Sequence, residues 1–286
     1  MTRHGGSRKA WGAESLTVRY GKTLALDDVS LAIPDGEVVA VVGGDGAGKT
    51  TLLRSIAGAI LPELGRVSTP PLRDIGFMPT TSGVWRELTV DENFAFFASA
   101  YGIRGRELTQ RQDTLLEGAG LTKARDRLAG QLSGGMRQKL AFSLAMLHEP
   151  RLLVLDEPST GVDPVSRVDL WRMISQAAAR GAAVAMATTY LDEAERASSV
   201  LVLDAGKALL YGPPEKVIAE APGAVYRVTT PTVRTRAWRR GREYREWSAD
   251  GAPAGGERLD RDLEDAVISA ALARESTTQP NGVAHD

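Results

Sequence analysis

Three observations predict an α/β fold built on a mainly parallel sheet. The apolar run Val38-Val39-Ala40-Val41-Val42 leads into a glycine-rich loop and then a helical segment that opens at Thr51. A second apolar run, Leu152 to Leu155, ends in the acids Asp156-Glu157, and a third spans Ala182 to Ala187. Helical patterns separate these runs, and strands alternating with helices imply right-handed crossovers in one sheet.

The loop reads Gly43-Gly44-Asp45-Gly46-Ala47-Gly48-Lys49-Thr50-Thr51: glycine, four residues, then Gly-Lys-Thr. Such a loop cradles phosphates, because glycines let successive backbone N–H groups turn inward with no Cβ in the way. Lys49 supplies a point charge for the β/γ-phosphates, and Thr50 supplies a hydroxyl for Mg²⁺. The helix from Thr51 presents its N-terminus to the same anion. The competing reading is a glycine-rich βα turn without a ligand; the strand before and the helix after favour phosphate binding. Asp156 and Glu157 then form the other half of a nucleotide site, since a strand-end Asp can hold Mg²⁺ and the next Glu can polarise an attacking water.

Composition bounds the rest. The 286 residues suffice for one large domain with an appendage, or two domains. A hydrophobic content of 43%, a charged content of 25% and a formal net charge of −1 describe an ordinary globular chain, with no global field that favours nucleic acid. The absence of cysteine excludes disulfides, thiolate catalysis and Cys-ligated zinc. No apolar stretch reaches the ~18 residues of a bilayer span. Residues 1–13 carry Arg3, Arg8 and Lys9 without an apolar core behind them and read as a flexible tail. His4, His148 and His285 form no metal-ligand spacing.

In chain order, Ser15 to Tyr20 alternates as a strand, Gly21-Lys22 turns, and Leu24 to Ile33 returns, which predicts a β-hairpin. Tyr20 is either a stacking platform for a purine or an aromatic packed on the sheet. Ile75 to Met78 is a short strand. Thr89 with Glu92 is a capping box, and Val90, Phe94, Phe97 and Tyr101 recur at helical spacing as a packed face. Residues 106–130 are charged and helix-rich, with Gly118 and Gly120 as breaks. Ser133 is an N-cap before a helix that carries Met136, Leu140, Leu144 and Leu147 on one face. Its Ser133-Gly134-Gly135 turn is either a second phosphate contact or a simple capped turn. Residues 165–180 are helical. Ser199 to Leu203 and Lys207 to Tyr211 form a hairpin at Asp204-Ala205-Gly206. Beyond Pro214 the composition shifts: Ala224 to Thr230 and Trp238 to Trp247 read as strands and Asp262 to Arg274 as a helix. Six arginines lie between Arg234 and Arg245 among aromatics, a mix that suits a solvated strand face better than a nucleic-acid surface.

Together these motifs resemble the ATP-binding subunit of an ABC transporter over about Leu16 to Gly212. Tyr20 lies where that family places its adenine-stacking aromatic, and Gly43 to Thr51 is similar to its Walker A loop. Leu132-Ser133-Gly134-Gly135-Met136 resembles the family signature, Leu152 to Glu157 the Walker B strand with Glu157 as the catalytic glutamate, and Ser159 to Asp163 the D-loop. Leu88 to Asn93 and Tyr190 to Arg196 resemble the drug-resistance or ABC-2 exporter branch. The resemblance implies a P-loop NTPase core, an N-terminal antiparallel β subdomain, a helical signature subdomain and a small α+β C-terminal appendage. The implied boundaries are residues 14–222 for the cassette, 223–274 for an accessory region and 275–286 for a disordered tail.

The implied activity is ATP hydrolysis with ATP and Mg²⁺, coupled to transport, Thr50 and Asp156 being the metal-binding residues. The implied partners are a second ATP-binding cassette, whose ATP the signature Ser133 to Met136 would contact, and an integral membrane permease. The implied location is the cytoplasmic face of the cell membrane, and no nucleic-acid partner is expected. Two positions depart from the pattern: Thr80 replaces the family's glutamine and Thr189 its switch histidine, while Gly44 is a minor change. Threonine carries no charge toward a γ-phosphate, so the resemblance implies a site that binds ATP well and hydrolyses it slowly, in a heteromeric assembly. A fully active homodimeric ATPase stays open beside it, as does a soluble ABC ATPase acting on ribosomes or DNA.

Overall fold

The computed structural model describes residues 10–278. Strands β1 (Ala10–Tyr20) and β2 (Thr23–Pro34) form the expected hairpin. Strand β3 (Val38–Val42) leads to helix α1 (Lys49–Ile56), and β4 (Leu64–Ser68) adds an edge strand to β1. Strand β5 (Ile75–Met78) precedes the helices α2 (Val90–Tyr101), α3 (Gly105–Ala119) and α4 (Gly134–Met146). Strand β6 (Leu152–Asp156), helix α5 (Pro164–Ala179), strand β7 (Ala183–Ala187) and helix α6 (Leu191–Ala194) follow. Strands β8 (Ser199–Asp204) and β9 (Lys207–Gly212) make a hairpin before helix α7 (Pro214–Glu220). Strands β10 (Ala224–Val228), β11 (Ala237–Arg240), β12 (Glu243–Ser248) and β13 (Glu257–Arg258) and helix α8 (Leu263–Thr278) complete the described chain.

The central sheet has the order β5-β6-β7-β3-β8-β9, parallel from β5 through β8 with β9 antiparallel at the edge. Strands β3, β6 and β7 at its centre are buried on both faces, which is why their sequences run apolar without alternation. Successive side chains still point to opposite faces. Val38, Ala40 and Val42 enter a core shared with the helices α2–α5, whereas Val39 and Val41 enter a second core with α1 and the β1–β2 hairpin. The second core meets Ala183, Ala185 and Ala187 of β7, small side chains beneath α1, which packs on β6 and β7. That packing holds the N-terminus of α1 beside the C-terminal end of β6.

Several boundaries differ from expectation. Ala10 to Ala13 belong to β1 rather than to a tail, because Trp11 is buried, its indole N–H donates to Asp35 at 2.9 Å, and Arg151 lies over its ring. Residues 1–9 of the expected N-terminal tail lie outside the described residues. Helix α3 runs through Gly118 and ends only at Gly120, whose φ of +67° terminates it. Helix α4 is buried on more than one face: Leu140 and Leu144 are joined by Ala141, Phe142 and Ser143. The stretch from Trp238 to Trp247 is two strands, because Gly241 (φ +62°) turns it into a hairpin. Helix α8 continues to Thr278, so residues 275–278 are helical, and 279–286 lie outside the described residues. Leu263 and Ala266 of α8 are part of the main core, which ties the C-terminal sheet to the larger body.

The arginine run is largely engaged within the fold. Arg240 pairs with Asp262 and Glu264, Arg245 pairs with Asp265, and Arg236 lies 5.5 Å from the Trp247 ring centroid. These contacts join the strands of the C-terminal sheet to one another and to α8.

Candidate functional site

The loop between β3 and α1 needs its glycines at specific points. At Gly43 φ is +150°, and a Cβ there would meet the Leu203 carbonyl oxygen at 2.1 Å. At Gly48, the N-cap of α1, φ is +106°, and a Cβ would lie 2.8 Å from the Ala25 carbonyl. Backbone this close to β8 and to the β2 segment admits no other side chain. Asp45, Gly46, Ala47, Gly48, Lys49, Thr50 and Thr51 line a cavity of about 270 Å³, closed by Thr23, Leu24, Ala25 and Glu157.

Lys49 is 5% exposed, and its ammonium donates to the carbonyls of Gly43 (2.8 Å) and Gly44 (3.1 Å). It also lies 3.9 Å from Glu157 Oε1. Asp156, at the end of β6, is fully buried. Thr50 Oγ1 donates to its Oδ1 at 3.1 Å, and Thr80 Oγ1, from the loop after β5, donates to its Oδ2 at 2.8 Å. Both carboxylate oxygens are thus held by threonine hydroxyls from two other elements. Glu157 adopts a left-handed backbone (φ +53°), rare for a residue with a side chain. Its N–H donates to Ala187 O at 3.0 Å, and its Oε2 accepts from Thr160 Oγ1 at 3.0 Å.

The other expected residues, Tyr20, Ser133 to Met136, Asp163, Thr80 and Thr189, do not line the cavity. Tyr20, at the end of β1, is 51% exposed. Ser133 caps α4, its hydroxyl accepting from Met136 N–H at 3.2 Å. Gly134 and Gly135 pack on the segment after Glu157: a Cβ on Gly134 would lie 3.0 Å from Gly161 O, and one on Gly135 2.5 Å from the Ser166 side chain. Asp163 caps α5, accepting from the N–H groups of Val165 (3.1 Å) and Ser166 (3.0 Å). Hydrogen bonds from Ser166, first its backbone N–H, hold its carboxyl below the usual carboxylate range. Thr189 follows β7 and is exposed.

One constellation escaped the sequence reading. Glu193 is 3% exposed and gathers Ser159 Oγ (2.9 Å), Thr188 Oγ1 (2.7 Å) and Arg167 Nε (3.2 Å). Arg167 also binds Asp192 and stacks 3.7 Å over the Tyr190 ring. A charged residue in a short helix gives no local sign of such burial; the signal present was its place beside Thr188 and Thr189.

The ABC transporter family profile matches residues 26–160. Over 217 residues the chain is 38% identical to the probable multidrug ABC transporter ATP-binding protein YbhF of Escherichia coli (strain K12), covering 72% of this chain and 38% of that one. The chain therefore spans well under half the length of that relative. Over 215 residues it is 34% identical to the Nod factor export ATP-binding protein I of Rhizobium sp. (strain N33), covering 71% of each. Among solved structures, an ATP-binding subunit of an ABC transporter superposes with a TM-score of 0.68 at 29% identity, covering 74% of this chain and 93% of that one. On the sequence match, the shared fold and the loop geometry together, this chain belongs to the ABC transporter family, among its ATP-binding proteins.

Proposed function

We propose that this chain binds ATP with Mg²⁺ over the Gly43–Thr51 loop and drives a membrane permease as a peripheral subunit on the cytoplasmic face of the cell membrane, in the direction of export. The observation that carries this reading is the meeting of Lys49 and Thr50, at the start of α1, with Asp156 and Glu157, at and just after the end of β6. The export direction is supported by the name of the Nod factor export relative.

The residues fit the implied metal. Thr50 and Asp156 offer a hydroxyl and a carboxylate in mutual contact, hard oxygen donors of the kind Mg²⁺ takes alongside phosphate oxygens and water. When bound, the ion offsets the charge that develops on the phosphates. The remaining work belongs to the chain. Backbone N–H groups of the loop and α1 receive the phosphates. Lys49 leaves the Gly43 and Gly44 carbonyls for phosphate oxygens. Glu157, held at Oε2 by Thr160, accepts a hydrogen bond from the attacking water and orients it.

Thr189 carries no charge, and the Thr80 hydroxyl is turned to Asp156, so this site binds tightly and turns over slowly. Ser133 to Met136 completes the ATP site of a second cassette, in a heteromeric pair whose closure drives the permease. The intact Glu157 beside Lys49 supports a second reading, a fully active homodimer. Steady-state ATP hydrolysis beside equilibrium binding of labelled ATP on one sample separates them. Tight binding with negligible turnover is expected. Turnover at an ordinary transporter rate, abolished by Glu157→Gln and unaffected by Thr189→Ala, would replace the heteromeric reading with the homodimer. No binding would end both.

A further inference from the structure

Glu193 sits where three otherwise separate segments meet. Ser159 lies two residues after Glu157, Thr188 lies one residue before Thr189, and Arg167 lies one turn into the helix that Asp163 caps. All three donate to the same buried carboxylate, at 2.9, 2.7 and 3.2 Å. The Thr188 hydroxyl in turn accepts from the N–H of Tyr190 at 3.0 Å, so the bond to Glu193 also fixes the backbone around Thr189.

Burying a carboxylate is expensive, and apolar packing of the same volume commonly gives equal or better stability. What a fully bonded carboxylate adds is register: each donor must arrive at a set place, and moving one strains the others. We infer that Glu193 is a positioning residue that couples the Glu157–Asp163 segment to the Thr188–Tyr190 segment, so that nucleotide bound at the loop is felt at Thr189. The inference rests on ATP binding at Gly43–Thr51 as proposed above. Thr189 has no charged side chain of its own with which to follow the nucleotide. A mechanical link through Thr188 supplies that response instead.

The test is amide hydrogen exchange on the full chain, with and without a slowly hydrolysed ATP analogue and Mg²⁺, on wild type, Glu193→Gln and Ser159→Ala. It needs no turnover. In wild type, nucleotide slows exchange in residues 43–51 and, by about threefold or more, in residues 188–195. In Glu193→Gln the slowing over 43–51 persists and that over 188–195 is lost. A merely structural role would raise exchange in 188–195 in both states and leave the nucleotide-dependent ratio intact, which overturns the inference, as does a wild type that responds at 43–51 but not at 188–195. Should Glu193→Gln fail to fold, Ser159→Ala, which removes one hydroxyl, carries the same comparison. No slowing over 43–51 in wild type would count against ATP binding itself, a result distinct from failure of the coupling.

Discussion

Thr80 Oγ1 donates to Asp156 Oδ2 at 2.8 Å, and this bond ties the loop after β5 to the end of the neighbouring strand β6. Asp156 is fully buried, so its oxygens depend on protein donors. Replacing Thr80 by valine keeps the shape and removes the donor. Urea unfolding of Thr80→Val is expected to show a loss of about 1–3 kcal/mol, the cost of an unsatisfied buried acceptor. Thr80→Ser keeps the hydroxyl and most of the stability.

Gly43 and Gly44 are adjacent and should respond unequally to alanine. Gly43 has a positive φ, and its added Cβ would strike the Leu203 carbonyl at 2.1 Å. Gly43→Ala is expected to lower stability by on the order of 3 kcal/mol or more and to abolish labelled-ATP binding. At Gly44 a Cβ meets nothing within 4 Å, so Gly44→Ala is expected to change stability by less than about 1 kcal/mol and leave binding intact.

His148 makes the fold sensitive to mild acid. Its ring stacks on Tyr101 at 3.8 Å, and its Nε2 lies 3.1 Å from the Ile75 carbonyl. Burial pushes the imidazole below its ordinary value of 6.5. The unfolded chain therefore takes up a proton before the folded chain does. The contribution of His148 is fully present above pH 6.5 and is lost as pH falls from there toward the folded value. The urea midpoint is expected to drop over that interval in wild type and to flatten in His148→Gln.

The C-terminal sheet is held to α8 by a charge pair with one fully buried member. Asp265 is fully buried and accepts from Arg245 of β12. Arg245→Ala removes the charged partner of the carboxylate, leaving it the Asp262 N–H at 3.3 Å, and is expected to cost about 3–5 kcal/mol. Adding Asp265→Ala should recover part of that loss, and a double-mutant cycle on unfolding free energies reads the difference.

Sequence alone determined the features whose cause lies within a few residues. The Gly43–Thr51 loop is legible because its glycine, lysine and threonine spacing lies within nine consecutive residues, although the carbonyls that forbid a Cβ at Gly43 and Gly48 come from Leu203 and Ala25. The Thr89–Glu92 box and the turn at Asp204-Ala205-Gly206 are equally local. Apolar runs identified β3, β6 and β7, since a strand buried on both faces must be apolar throughout. Tertiary structure decided what depends on which strands lie side by side. Thr80 reaches Asp156 across 76 residues because β5 and β6 are neighbours in the sheet. Ser159 and Arg167 reach Glu193 across 34 and 26 residues, where the ends of β6 and β7 meet. Strand β4 gives little sign in the sequence because it is an exposed edge without apolar alternation, paired to β1 and reaching the core through Val67. Trp11 looked like part of a tail until the sheet placed Asp35 and Arg151 beside it. A hydroxyl or a carboxylate carries no sign in the sequence of which distant donor will meet it; the crossovers of the chain set that meeting.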